Sequence, residues 1–165
     1  MPTNQDHKKL QPVPLSISVA ITLAIGVIAS LFTRPEIKTW YITLQKPSFT
    51  PPNWLFPVAW TTLYILIAIA AYLVWKHRDQ SGVYKTTVGI YVLQLALNFS
   101  WSIVFFGMHQ ILGGLIIIIL LLVFIILNIA WFSRFNKLAA WLLVPYLIWV
   151  SYASLLNFSI YMLNK

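Results

Sequence analysis

Five stretches of about twenty residues, each apolar almost without interruption, constrain this chain more than anything else in it. A helix rises about 1.5 Å per residue, so twenty residues cross the roughly 30 Å of hydrocarbon in a bilayer. Only 8% of the 165 residues are charged, against about 25% in a soluble domain. The chain is therefore an all-α integral membrane protein: a five-transmembrane-helix bundle with a long ordered loop between helices 1 and 2. A polar N-terminal segment occupies 1–12, and a single domain occupies 13–165, with spans at about 13–33, 54–76, 84–107, 111–133 and 138–163. Arg34-Pro35 is expected to end the first span, and Pro145 falls inside the last, where helix packing tolerates it. His7-Lys8-Lys9 before an apolar run resembles the start of a signal peptide. That run is longer than a usual h-region, however, and no small-x-small cleavage site follows it. Span four, GLIIIILLLVFIILNI at its centre, offers almost nothing polar and reads as a lipid-facing wall.

Charge narrows the function classes. The net charge of +8 sits mostly outside the spans, where basic loops meet lipid headgroups, so nucleic acid is not an expected partner. The N-terminus, the 2–3 linker and the 4–5 turn carry Lys8, Lys9, Lys76, Arg78, Lys85, Arg134 and Lys137, seven cations. The other side carries Arg34, Lys38, Lys46 and Lys165, four. The bias toward the first side predicts an inside N-terminus, an outside C-terminus and an outside loop. Without cysteine there is no disulfide framework, thiolate nucleophile or Cys metal site. Asp6, Glu36 and Asp79 all lie outside the spans, so no intramembrane proton relay is expected. The histidines are too scattered for a metal site, and His109 reads as a solvated turn residue rather than a haem ligand. Five spans without an internal repeat argue against an inverted-repeat transporter.

The stretch from Trp40 to Trp60, WYITLQKPSFTPPNWLFPVAW, holds four prolines and three tryptophans. Its prolines forbid a helix before about Trp54, and its aromatic density argues against disorder. It is read as an aromatic lid, with Tyr41 and Phe49 covering a mouth and Lys46 beside it. Helical spacing supplies the walls under that lid. Trp60, Tyr64, Ile67 and Ala71 make one stripe on span two. Gln94, Asn98, Trp101 and Phe105 make another on span three. Trp149, Ala153 and Asn157, with Leu156 beside them, make a third on span five. Trp60, Asn98, Trp101 and Asn157 all fall within roughly 9–14 Å of the lid-side ends of their spans. An unpaired amide in hydrocarbon costs a few kcal/mol, so Asn98 and Asn157 should point inward, to each other, to a backbone carbonyl or to a ligand. Trp40, Trp54, Trp75, Trp131 and Trp141, near span ends, read as interface anchors.

Four motifs then carry a resemblance: WYxxLxKPSxxPPxW from Trp40, FPxxWxxLY from Phe56, QLALNxxW from Gln94 with FFG at Phe105–Gly107, and PYLxWxxxxxxLN from Pro145. They resemble the TspO/translocator protein family, the tryptophan-rich sensory proteins once called peripheral benzodiazepine receptors. The resemblance implies a homodimeric membrane receptor or sensor. It would bind porphyrin-like tetrapyrroles, and other flat hydrophobic ligands of the benzodiazepine-site type, in an aromatic pocket under the loop. It implies ligand contacts at Tyr41, Pro52, Trp60, Asn98, Trp101, Trp149, Ala153 and Leu156, with porphyrin as ligand and no cofactor required. Ser16-Ala20-Ala24 and Gly26-Ser30 are small-residue faces that would permit helix–helix approach, in the dimer or equally within the monomer. Arg34, Lys38 and Lys46 could meet propionates. The alternatives it implies are a light-dependent porphyrin-degrading protein, using Trp60 and Trp149, or a transporter of tetrapyrroles or sterols. Two departures matter. Ile117 and Gly113 replace an acidic residue and a Trp of animal members. The basic tail of the animal sterol motif is cut to Lys165, which makes sterols the least favoured ligand and fits a bacterial cell membrane.

Overall fold

The computed structural model describes residues 10–78 and 81–165. Residues 1–9 of the polar N-terminal segment, with Lys8 and Lys9, and Asp79 in the 2–3 linker lie outside them. Five long helical units cross the bundle: α1 (Pro12–Lys38), α2 (Leu55–Trp75), α3 (Ser81–Ser102), α4 (Ile111–Phe132), and the pair α5 (Lys137–Leu142) and α6 (Val144–Leu163). No strand occurs among the described residues. Each of the five is long and apolar enough to span a membrane. Packing neighbours run α1, α2, α5/α6, α4, α3 and back to α1, which closes a ring.

Three departures from the sequence reading have local causes. First, α1 does not stop at Arg34-Pro35 but runs on to Lys38. Pro35 forfeits one backbone bond close to the helix end, a loss neighbouring groups can compensate in a packed membrane helix. The turn beyond it is held by Thr39 Oγ1, which donates to the Pro35 carbonyl at 3.1 Å and to Glu36 Oε2 at 3.0 Å. Second, α4 is no mere lipid wall. Gly114, Ile118, Leu121, Ile125, Asn128 and Phe132 are buried at alternating spacings of four and three, the seam of a helix packed on both α3 and α6. Its other side, including Ile116, Ile119 and Val123, is exposed. Gly114 permits this approach, because a Cβ there would lie 2.8 Å from the Phe105 ring. Third, the last span breaks at Leu143 into α5 and α6, two residues before Pro145, whose missing N–H falls where a helix start needs none. Asn136 caps α5 by accepting from the Ala139 N–H at 3.1 Å.

Candidate functional site

At the loop end, α3 finishes in one wide π turn, Ile103–Gly107. The extra residue turns Phe105 and Phe106 inward, to 2% and 6% exposure, under the short 3₁₀ turn Tyr41–Thr43 of the loop. Tyr41 is buried against both rings, at 6.4 and 5.7 Å. Beyond the π turn, His109 adopts φ 56°, a left-handed conformation. Its ring stacks on Trp40 at 4.5 Å, and its Nε2 sits 2.9 Å from Glu36 Oε2. The 3–4 turn is thereby tied to the end of α1.

The loop is ordered, as its aromatic density suggests, and its middle is strapped to α6 and the residue after it, while Tyr41, Asn53 and Trp54 near its two ends line the cavity beneath it. The Asn164 side chain accepts from the Gln45 N–H at 2.9 Å and donates to the Gln45 carbonyl at 2.8 Å. Tyr152 Oη donates to the Phe49 carbonyl at 2.6 Å. Phe49 packs on the Tyr152 ring and Lys46 Nζ donates to the Tyr41 carbonyl at 2.7 Å, and neither is part of the cavity lining.

A cavity of ≈ 730 Å³ lies between α1, α2 and α3 beneath the start and end of this loop. Its inner wall is aromatic. Trp60 faces Trp101 at 6.1 Å and Tyr64 at 5.8 Å, and Trp101 stacks on Phe105 at 5.7 Å. Its outer wall is α1, from Leu23 to Lys38. Gly26 lets Tyr64 approach α1 so closely that any Cβ would overlap the ring. Because α1 continues past Pro35, the exposed Arg34 and Lys38 reach the rim.

Behind the rings runs a hydrogen-bond frame. Tyr64 Oη donates to Asn98 Oδ1 at 2.6 Å, and Asn98 Nδ2 donates to Tyr146 Oη at 2.8 Å. Trp101 Nε1 donates to Asn157 Oδ1 at 3.0 Å, and Asn157 Nδ2 donates to the Ile111 carbonyl at 3.4 Å. The two amides thus point inward, but to Tyr and Trp side chains and one carbonyl rather than to each other.

Tyr41, Trp60, Asn98 and Trp101 therefore share one cavity. Pro52, Trp149, Ala153 and Leu156 are not part of its lining. Pro52 sets the turn into α2, its carbonyl accepting from the Leu55 N–H at 3.0 Å, next to the lining residues Asn53 and Trp54. Trp149 stands one ring behind the wall, 6.0 Å from the lining residue Phe56, and its indole nitrogen is buried with no partner among the described residues. Ala153 and Leu156 are buried in α6. Of the small-residue faces, Gly26-Ser30 lines the cavity, while Ser16, Ala20 and Ala24 are exposed. Sequence reasoning placed Arg34 and Lys38 near the ligand but missed that α1 itself, from Leu23 onward, forms the outer wall. It had no signal for the π turn.

Comparison with known proteins agrees with the motifs. The profile of the TspO/MBR family matches residues 18–163. The chain is 47% identical over 152 residues to "Tryptophan-rich protein TspO" of Archaeoglobus fulgidus, covering 91% of this chain and 96% of that one. It is 39% identical over 125 residues to "Tryptophan-rich sensory protein" of Cereibacter sphaeroides, covering 76% and 77%. It is also 39% identical over 140 residues to the human "Translocator protein", covering 81% and 80%. With one profile spanning residues 18–163 and relatives alike over most of their own lengths, the chain belongs to the TspO/MBR family.

Proposed function

We propose that this protein is a membrane receptor or sensor that binds a porphyrin-like tetrapyrrole, or another flat hydrophobic ligand, in the loop-end cavity. The observation that carries this reading is a ≈ 730 Å³ aromatic chamber whose rim holds Arg34 and Lys38. That volume falls in the roughly 300–1,000 Å³ range of small-molecule sites. Ring faces stack on a macrocycle, and two cations beside a hydrophobic slot suit propionate carboxylates. Relatives named as sensory and translocator proteins support the same class. Trp149, one ring behind the lining residue Phe56, would join the ligand surface if Phe56 moved aside, where a ligand acceptor could meet its indole N–H. The exposed Ser16-Ala20-Ala24 face of α1 suits a homodimer, and the charge count favours the loop end outside.

A second reading is light-dependent porphyrin degradation. Trp60, Trp101 and Tyr64 form a contiguous set of oxidisable rings at the cavity wall. The test is a protoporphyrin titration followed by tryptophan quenching and porphyrin absorbance, in the dark and then under illumination. Saturable dark quenching that weakens in Arg34→Gln/Lys38→Gln, with no loss of porphyrin in light, supports the receptor. Loss of porphyrin in light that needs Trp60 supports degradation. Absence of saturable quenching, or quenching indifferent to Trp60→Phe and Trp101→Phe, rejects the site.

A further inference from the structure

A second cavity, ≈ 370 Å³, lies at the opposite end of the bundle between α1, α2 and α3. Its floor is the buried set Tyr72, Thr87 and Phe132, whereas Ile17 and Ile21 on α1 and Val88 and Val92 on α3 are exposed at its edges. The cleft therefore opens sideways, between α1 and α3, into the layer where a membrane-spanning bundle meets acyl chains. Along α3 it runs from Tyr84 to Val92, about 12 Å of helix. That is most of the roughly 15 Å depth of one leaflet's hydrocarbon.

Cations stand at the end where a headgroup would lie. The Arg78 guanidinium sits 4.0 Å over the Trp75 ring, and Lys76 Nζ sits 5.9 Å from the Tyr72 ring centre. Both rings line the cleft. Stacking uses the face of a guanidinium, whereas its N–H donors lie in the plane and point to its edge. Lys85, exposed, follows the lining residue Tyr84. Lys76, Arg78 and Lys85 against Asp79 leave a net +2 over this linker, with Asp79 outside the described residues. An apolar slot of leaflet depth, closed at its polar end by cations, complements one molecule class in both parts. Basic pockets between membrane helices take anionic headgroups in this way.

We propose that this cleft binds one anionic glycerophospholipid of the adjoining leaflet, an acyl chain lying in the slot and the phosphate and headgroup meeting Arg78, with Lys76 and Lys85 beside it. The site is separate from the loop-end cavity and shares no lining residue with it.

The test uses the full chain in mild detergent with equal amounts of dioleoyl phosphatidylglycerol and dioleoyl phosphatidylcholine, read by native mass spectrometry. One phosphatidylglycerol per chain should be retained in preference. Arg78→Gln and Lys85→Gln should each lower that preference by about fivefold. Ala71→Leu, which adds bulk inside the slot, should reduce retention of both lipids while the melting temperature stays at the parent value. If Ala71→Leu lowers the melting temperature, Ile17→Trp at the cleft's exposed lip takes its place. Equal retention of the two lipids overturns the proposal. So does a phosphatidylglycerol preference that survives the double variant Arg78→Gln/Lys85→Gln, or retention indifferent to filling the slot.

Discussion

Replacing Asn98 by Leu removes one amide and strands two phenols. Tyr64 and Tyr146 both lose their partner on it, at 2.6 and 2.8 Å, and all three residues are buried. In a soluble protein a stranded buried group costs about 1–3 kcal/mol. Between membrane helices a hydrogen bond averages about 0.6 kcal/mol and reaches about 1.7, because the unfolded chain in the membrane finds other partners. Two short bonds in a packed core therefore predict a loss of about 1–3 kcal/mol. Leu branches at Cγ as Asn does but is the bulkier residue, so no cavity forms, and any loss beyond the hydrogen bonds comes from overpacking. A double-mutant cycle isolates the network. Tyr64→Phe alone should cost about 0.5–1.5 kcal/mol. In the Asn98→Leu background it removes an already stranded hydroxyl and should cost nothing. Reversible unfolding of the chain in mixed micelles, driven by a denaturing detergent and followed by helical circular dichroism, measures each corner. An Asn98→Leu variant as stable as the parent, or a Tyr64→Phe loss equal in both backgrounds, would falsify the frame.

The loop strap predicts that Asn164→Ala with Tyr152→Phe, which cuts the ties to Gln45 and Phe49, speeds protease cleavage between Gln45 and Thr50. Unchanged cleavage would mean that burial of Tyr41 alone holds the loop. Gly114→Ala places a methyl 2.8 Å from the Phe105 ring and should destabilise the bundle by about 1–3 kcal/mol, whereas Gly89→Ala, with open space around it, serves as the neutral control; equal melting of the two rejects the tight α3–α4 contact. Burial, with Tyr152 nearby as a lesser cause, pushes the Tyr41 phenol in the loop up from 10.0 to about 12. The folded loop thus favours the neutral phenol, so this stabilisation is complete below about pH 10 and lost as pH rises through about 12. Tyr41→Phe should flatten stability over that window, and a parent chain as flat as the variant contradicts the assignment.

Hydrocarbon imposes a length and an apolar composition on anything that crosses it, which is why the five spans and the polar linkers were legible as text. Packing inside the bundle was legible only where polarity marked a face. Asn98 and Trp101 on α3, and Asn157 on α6, announced their inward direction because an amide or indole N–H cannot face lipid without cost. The inner face of α4 announced nothing, since Ile118, Leu121 and Ile125 toward the core read the same as Ile116, Ile119 and Val123 toward lipid. Without a contrast in polarity, periodicity carries no signal. Asn128 was the single polar mark on the buried seam. The motifs tied Trp149 to the site through resemblance, but whether a ring lies in a cavity wall or one layer behind it depends on the rotamer of a neighbour, here Phe56, which no spacing records.

The position of α1 follows from the same logic and joins the two ends of the molecule. Only Thr22 and Ala29 are buried on it, so it is the least embedded of the long helices, and its attachment rests on a few polar ties. Ser18 Oγ donates to the Ala68 carbonyl at 2.8 Å, Thr22 Oγ1 meets Tyr91 Oη at 3.3 Å, and the Gln11 N–H donates to Tyr72 Oη at 2.7 Å. Glu36 closes the series at the loop end through His109. In lipid a helix gains little from apolar contact alone, because acyl chains are as apolar as Leu; close approach and hydrogen bonds decide which helices stay together. α1 has close approach at Gly26 and polar ties at Gln11, Ser18, Thr22 and Glu36, enough to hold register while leaving gaps between the ties. Both cavities lie along this helix, one against Pro14–Ile21, beside the Ser18 tie, and the other against Leu23–Lys38, beyond Thr22. A helix fastened at points rather than along a seam leaves room for ligands toward both of its ends, whereas α4, fastened along a seam, contributes to these two cavities only Phe132 at its end.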